Sequence, residues 1–245
     1  MKIIVVIPAR YKSSRFPGKP LVKLLGKPMI QWVAELSAKA VHQENVYIAT
    51  DDERIASVVL DAGYQVVMTS EQAATGTDRL AEVAQKVKAD IYINVQGDEP
   101  LIDPQYIINI INAKKKYPNE VINGYCPIGS EENAKSVNIP KVIFTENEQL
   151  IYMSREALPG FKDNNNSPKI YFKQVCIYAF SRQDLLDYAA FGRKSTLELS
   201  EDIEIIRFLE WGQRIRMVET QQGSLAVDIP EDIESVELEL KRKNR

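Results

Sequence analysis

The sequence predicts an α/β fold in which a central, mostly parallel sheet carries helices on both faces. Two observations predict it. Strand and helix signals alternate through the first half of the chain, and repeated strand–loop–helix units build parallel sheets. The first strand, Ile3-Ile4-Val5-Val6-Ile7 before Pro8, is apolar at every position rather than at alternate ones. A run of that kind is buried on both faces, as strands of parallel sheets are.

The elements follow in chain order. Residues 29–40 have a helical pattern. Residues 46–50 read as a strand ending in Asp51-Asp52, and residues 53–62 as a helix with Gly63 as its C-terminal cap. Residues 65–68 form a short strand. Residues 77–88 read as a helix capped by Thr77, with Leu80, Val83, Ala84 and Val87 on one face. Residues 90–95 are a strand running into Gln96-Gly97-Asp98-Glu99-Pro100. Further on, residues 141–144, 150–153 and the alternating 172–180 read as strands. Residues 161–168, with three Asn in a row, read as an exposed loop. Residues 182–188 and 201–211 read as helices, the second stopped at Gly212. Residues 215–219 are a strand, and Ile233, Val236 and Leu240 mark a final helix. No Gly- or Ser-rich linker interrupts the chain. Residues 1–245 are therefore expected to form a single domain, with an inserted subregion at about 145–212.

Composition narrows the function. The net charge of −3 argues against a general nucleic-acid binder, so any basic cluster is local. No run is long enough to span a membrane and no signal-peptide pattern is present, so a cytoplasmic protein is expected. Cys126 and Cys176 are too few and too far apart for a disulfide framework or a zinc site, and read as buried free thiols. His42 is the only histidine, which removes histidine metal sites and Ser-His-Asp triads. Any general acid or base must be a carboxylate, Lys or Tyr, or the chemistry needs none.

The chemistry-bearing residues lie at strand ends. The loop after the first strand presents Arg10, Arg15 and Lys19 among Ser, Gly and Pro. In open α/β sheets ligands bind at that edge, and three cations beside backbone N–H groups suit a polyphosphate. A solvated basic loop is the alternative. Asp98 follows a buried strand directly and projects at the same edge; Asp228 follows a short apolar run before Pro230. Two carboxylates beside a phosphate loop suit magnesium, which takes hard oxygen ligands and keeps waters and substrate phosphates. Each also has a local reading, Asp98 as a turn residue and Asp228 as a helix N-cap. Their company with Lys19 and Arg15 favours the metal.

Several segments carry a resemblance. They are Ile7-Pro8-Ala9-Arg10-Tyr11, Phe16-Pro17-Gly18-Lys19-Pro20, Gly26-Lys27-Pro28-Met29-Ile30, Ala49-Thr50-Asp51-Asp52 and Met68-Thr69-Ser70. Gly76-Thr77-Asp78-Arg79, Asn94 to Pro100, Tyr152-Met153-Ser154-Arg155 and Val227 to Asp232 continue the series. In this order, over nearly the whole chain, they resemble the sugar cytidylyltransferases, most closely the CMP-Kdo synthetase family (3-deoxy-manno-octulosonate cytidylyltransferases). The resemblance implies a Rossmann-like nucleotidyltransferase fold and a homodimer assembled through the inserted subregion. It implies CTP as donor, Mg2+ as cofactor and a small acidic sugar, 3-deoxy-manno-octulosonate (Kdo), as acceptor, for lipopolysaccharide or capsule biosynthesis. By the same resemblance, Arg10, Arg15 and Lys19 hold the CTP phosphates, and Asp98 and Asp228 ligate the metal. Ala9, Ser13, Thr77, Arg79 and Gln96 lie near the cytidine or its ribose, and Arg155, Gln174, Tyr178 and Glu204 lie on the acceptor side.

Departures from the family cluster on the acceptor side. The family usually has His-x-Gly-Ile-Tyr where this chain reads Gln174-Val175-Cys176-Ile177-Tyr178. It usually has Leu-Glu-Gln-Leu-Arg where this chain reads Ile203-Glu204-Ile205-Ile206-Arg207. Thr75 stands for a common Ser and Ile229 for the usual Thr. An amide cannot supply the protonated donor that an imidazole can. Ile205, expected here as the replacement of a sugar-side glutamine, offers only apolar contact. Loss of hydrogen-bonding groups alters discrimination between acceptors. Kdo and an amino-substituted relative such as 8-amino-Kdo therefore both stand as acceptors at this point.

Other function classes fit less well. A metal-dependent glycosyltransferase has no triphosphate for Lys19 to hold. A non-catalytic nucleotide-binding protein needs no strict metal geometry from Asp98 and Asp228. A dinucleotide oxidoreductase is disfavoured because no G-x-G-x-x-G follows the first strand.

Overall fold

The computed structural model describes residues 1–13, 16–220 and 225–243. Its elements are β1 (Ile3–Ala9), β2 (Lys23–Leu24), β3 (Lys27–Pro28), α1 (Met29–Val41), β4 (Val46–Thr50), α2 (Glu53–Asp61), β5 (Gln65–Met68), α3 (Gly76–Lys86) and β6 (Ile91–Val95). Then follow α4 (Pro104–Lys116), β7 (Val121–Pro127), β8 (Lys141–Phe144), β9 (Leu150–Ser154), β10 (Phe172–Ser181), α5 (Arg182–Phe191), α6 (Thr196–Glu201), α7 (Ile206–Glu210), β11 (Ile215–Glu219) and α8 (Asp232–Lys243).

Nine strands form one sheet, in the order β11-β7-β10-β6-β1-β4-β5, with β8 and β9 branching from β10. Pairing is parallel from β6 through β1 and β4 to β5, and again between β11 and β7. Strand β10 runs antiparallel between β6 and β7. Thus the 145–212 stretch places its longest strand inside the main sheet, while α5 to α7 pack around it.

The two-residue period of β1 explains its unbroken apolar run. Ile4 and Val6 join one core with Leu80 and Val83 of α3, Leu185 and Tyr188 of α5, and Phe208 of α7. Val5 and Ile7 join the other core with Ile30 and Val33 of α1, Ile55 and Val59 of α2, and Ile107 of α4. Burial of each such side chain contributes about 1.5–3 kcal/mol. A third cluster docks α8, through Val236 and Leu240, on Leu24, Met29, Leu101 and Val227. It brings the segment bearing Asp228 to the sheet edge, where Val227 N donates to Asp98 O at 3.0 Å.

Three sequence expectations are corrected. The cap of α3 is Thr75, whose hydroxyl accepts from Asp78 N while the Asp78 carboxylate accepts from Thr75 N; Thr77 sits inside the first turn. Both threonines suit a cap chemically, and only the turn geometry chooses. The expected helix at 201–211 is reduced to α7 over 206–210, and residue 201 belongs instead to the preceding α6. Asp202 takes a left-handed φ of 51°, ends α6, and leaves 203–205 as a turn before α7. Apolar spacing ran across that break without marking it. Ile205 is fully buried in the core with Phe208 rather than facing a sugar site, so it withdraws no contact from one.

Helix α4 and strand β7 are among the elements not read in the sequence. Helix α4 is capped by Asp103, with Pro104 in its first turn and Ile107, Ile110 and Ile111 buried at helical spacing. Strand β7 contains Asn123-Gly124, a pair that locally signals a turn. Its position is instead set by a bulge in β10, where the register against β7 slips between Val175 and Tyr178. A Cβ on Gly124 would lie 2.7 Å from Ile177 Cγ2, 3.3 Å from Thr220 Cγ2 and 3.4 Å from Val175 Cβ. Gly124→Ala is therefore expected to cost about 1–3 kcal/mol by overpacking. Urea unfolding would show the loss as a lower midpoint; an unchanged midpoint would mean the bulge yields freely.

Candidate active site

The carboxyl ends of β1 and β6, the loop after β1, the start of α3 and the segment before α8 enclose a cleft of about 220 Å³. Ala9, Arg10, Ser13, Lys19, Arg79, Gln96, Asp98 and Asp228 all line it, with Thr75 and Gly76. Arg15 lies outside the described residues. Thr77 is buried behind the lining and donates its backbone N–H to Glu204 Oε2 at 3.0 Å.

Local geometry aims Lys19 into this cleft. Gly18 adopts a left-handed φ of 72° before the 3₁₀ turn Lys19–Leu21, and donates from its N–H to Tyr11 O at 2.9 Å. The Tyr11 ring packs against Gly18, where a Cβ would come within 3.2 Å of it. Behind the ring stands the Arg54 guanidinium, 3.3 Å from the ring centroid and gripped by both Asp52 oxygens. Arg54 thus supports the basic loop from outside the cleft, a role no sequence signal announced. Arg79 is held by Asp51 at 3.1 Å and by Thr69 and Ser70, so it braces the strand ends beneath the cleft.

Lys19 Nζ lies 2.6 Å from Asp98 Oδ2 and 3.7 Å from Asp228 Oδ1. The two carboxylates, far apart in sequence, therefore share one cation position. The turn before α8 is closed by Asp232, whose carboxylate accepts from the N–H groups of Asp228 and Ile229. Among the described residues no group of three or more His, Cys, Asp or Glu could hold a metal. Two hard carboxylates at the mouth of a phosphate-sized cleft nevertheless match magnesium, which commonly takes one or two carboxylates and draws its other oxygens from water and phosphate.

A second cavity adjoins the first, and Thr75, Gly76 and Gln96 belong to both walls. Gln174, Cys176 and Tyr178, at alternate positions of β10, line it with Glu204 and Arg155. The cavity thus gathers all four residues expected on the acceptor side. Arg155, however, donates to the carbonyls of Val137, Glu201 and Asp202, and so ties β9 to the end of α6. Burial pushes the Cys176 thiol up to about 12, against a hydrogen bond from Tyr178 that acts the other way. Burial also raises the Tyr178 hydroxyl well above its ordinary range.

Burial raises the Glu204 carboxyl, while the Thr77 N–H bond pulls it down. An acid whose folded value is raised leaves stability intact at low pH. Stability is then lost as pH climbs from the ordinary value of 4.5 through the raised one. Glu204→Gln keeps an oxygen for Thr77 N–H and removes the buried charge. Its melting temperature should exceed the parent's at pH 7.5 and converge with it below pH 4.5. A gap that stays constant with pH would refute this origin.

A family model described as cytidylyltransferase matches residues 4–215. A 3-deoxy-manno-octulosonate cytidylyltransferase from Trichlorobacter lovleyi is 43% identical over 252 aligned positions, covering 99% of this chain and all of the relative. An 8-amino-3,8-dideoxy-manno-octulosonate cytidylyltransferase from Shewanella putrefaciens is 42% identical, covering 98% of this chain and 99% of that one. A solved structure of a CMP:2-keto-3-deoxy-manno-octonic acid synthetase in complex with CTP superposes with a TM-score of 0.91 at 38% identity, over 99% of this chain and 100% of the other. The fold is accordingly the Rossmann-like nucleotidyltransferase fold. With a full-length likeness of sequence and fold around one two-chambered cleft, the chain belongs to the cytidylyltransferase family.

Proposed function

We propose that the chain transfers CMP from CTP to the anomeric hydroxyl of Kdo and releases pyrophosphate. One observation carries the reading: a cleft bearing Arg10, Lys19, Asp98 and Asp228 opens, across Thr75, Gly76 and Gln96, into a cavity bearing Gln174, Tyr178 and Glu204. Two reactants held in adjoining chambers meet at the shared wall, and orientation of this kind removes much of the barrier to a bimolecular reaction. The anomeric hydroxyl gives up its proton to solvent as its oxygen forms a bond to the α-phosphorus of CTP. The bond from that phosphorus to the bridging oxygen breaks, and pyrophosphate leaves.

Arg10, Arg15 and Lys19 neutralise the triphosphate and the departing pyrophosphate. Ala9, Ser13, Thr77, Arg79 and Gln96 shape the place of the cytidine and its ribose. Asp98 and Asp228 would hold Mg2+, which when bound supplies charge neutralisation at the phosphates and acidifies a coordinated hydroxyl. Arg155, Gln174, Tyr178 and Glu204 form the acceptor wall. Transfers of this type depend on positioning and charge more than on covalent catalysis, which suits a site without histidine.

Product formation from CTP and Mg2+ with Kdo, 8-amino-Kdo or N-acetylneuraminic acid, resolved by mass, tests this reading. CMP-Kdo and pyrophosphate are the expected products; their absence with every acid would end the proposal. The 8-amino acid is the second reading, favoured by the amide at position 174 and by the likeness to a relative named for that sugar. No helix among the described residues is long and apolar enough to cross a membrane, in keeping with a cytoplasmic reaction that precedes lipopolysaccharide or capsule assembly. Exposed Ile151 and Leu199 on the 145–212 stretch support a homodimer through that stretch; a monomer mass by light scattering at assay concentration would remove it.

A further inference from the structure

The bulge in β10 has a polar anchor outside the cavity. Asn123, fully buried on β7, donates from Nδ2 to the carbonyls of Val175 at 2.9 Å, Gly124 at 3.1 Å and Ile177 at 3.3 Å. Three carbonyls can be met only by the NH₂ end of an amide, so the orientation of Asn123 is not free. Its Oδ1 therefore faces the other way, where it accepts from Gln174 Nε2 at 3.1 Å. That contact in turn dictates the orientation of Gln174. The second N–H of the same group is directed to the Tyr178 hydroxyl at 3.3 Å.

Both donors of Gln174 are thus committed to the protein. Its Oε1 has no hydrogen-bond donor among the described residues, and Gln174 lines the second cavity. We infer that Gln174 is a specificity-determining residue that recognises the acceptor by taking a hydrogen bond from it, and that Asn123 is the positioning residue that sets this polarity. The inference rests on the reading of the second cavity as the sugar-acid site. The group that meets Gln174 must then carry a hydrogen: a hydroxyl or an ammonium fits, and a carboxylate or keto oxygen does not. A histidine there, as the family usually has, can donate from its ring. The amide in this chain, locked by Asn123, only accepts. A mismatched ligand leaves two polar groups facing each other unpaired, which is where a hydrogen-bonding site discriminates most.

The experiment uses the full chain with CTP, Mg2+ and either Kdo or 8-amino-Kdo. Gln174→Met keeps the length of the side chain and removes the acceptor oxygen. It should raise KM for the better acceptor about tenfold, the effect of one hydrogen bond, while KM for CTP stays within twofold. Gln174→His should change the ratio of kcat/KM between the two acids by at least about fivefold at a pH where the ring is protonated, because an imidazolium donates to Asn123 and to the acceptor alike where the amide oxygen only accepts. Asn123→Leu should raise the same acceptor KM with CTP again unaffected. Because Asn123 acts through Gln174, the double variant Asn123→Leu, Gln174→Met should be no worse for the acceptor than the worse single variant. If Asn123→Leu fails to fold, the two Gln174 variants decide alone. An unchanged acceptor KM in Gln174→Met together with an unchanged acid ratio in Gln174→His overturns the inference. A parent enzyme that makes no product with any sugar acid overturns the function itself, which is a separate result.

Discussion

Asp98→Asn is expected to lower kcat by roughly 10³-fold or more, while CTP still binds within about tenfold of the parent affinity. Loss of a single preorganised group at a developing charge already costs about 10²–10³ in rate. Asp98 does more than one such group. It would supply half of the protein's metal ligands, and its Oδ2 fixes Lys19 at 2.6 Å. Asparagine has the same shape and keeps the backbone carbonyl that receives Val227 N–H, so the sheet edge stays in place. It lacks the charge that holds a divalent cation and that draws Lys19 to this spot. CTP binding should be less affected, because in the proposed site the phosphates would still meet Arg10 and Lys19 and one repelling carboxylate is gone. Pyrophosphate release gives kcat, and calorimetric titration with CTP gives the affinity. Turnover near the parent rate would take the metal role away from Asp98.

Arg207→Leu is expected to cost about 3–5 kcal/mol, the effect of leaving a buried charge without its partner. Arg207 grips Glu198 through two bonds, Nε to Oε2 at 2.7 Å and Nη2 to Oε1 at 2.6 Å. Both side chains are almost wholly inaccessible, at 3% and 1%. The guanidinium also lies 3.7 Å from the Tyr188 ring centroid. Its removal strands the Glu198 carboxylate, which still receives the Ser195 N–H. For a domain whose whole stability is about 5–15 kcal/mol, this change reaches a large share of it. Guanidinium unfolding measures the loss. The double variant Glu198→Leu, Arg207→Leu should recover part of it, since removal of both charges leaves neither stranded. Equal loss in the single and double variants would locate the effect in packing against Tyr188. Because this pair joins α6 to α7 across the turn that carries Glu204, any folded Arg207→Leu protein should also show a raised acceptor KM.

Much of the architecture was legible in the chain. β4, β5, β8 and β11 occupy the residues that alternation and apolar runs marked, because a strand's period is written in adjacent residues. Arg10 and Lys19 of the loop after β1 and the aspartates 98 and 228 do converge on one cleft, Asp98 as expected of a residue just beyond a buried strand. The split between α6 and α7 was not legible, because Asp202 needs only one unusual φ to redirect the chain and carries no composition signal for it. Strand β7, with its Asn123-Gly124 pair, was not read in the sequence for a different reason. Its turn signal is strong locally, but Asn123 spends its amide on a neighbouring strand and Gly124 makes room for that strand's bulge.

By itself the sequence determined the alternating α/β plan, the family likeness and which residue types stand at the strand ends. Only the tertiary structure decided what each polar group is free to do. Arg155, a cation on paper, is committed to backbone carbonyls; Ile205, placed beside a sugar on paper, is core; Gln174 became an acceptor through Asn123. The physical reason is range. Periodicity and caps are settled by residues a few positions apart. The partners that fix hydrogen-bond polarity here lie 51 residues apart for Gln174 and Asn123, and 79 for Lys19 and Asp98.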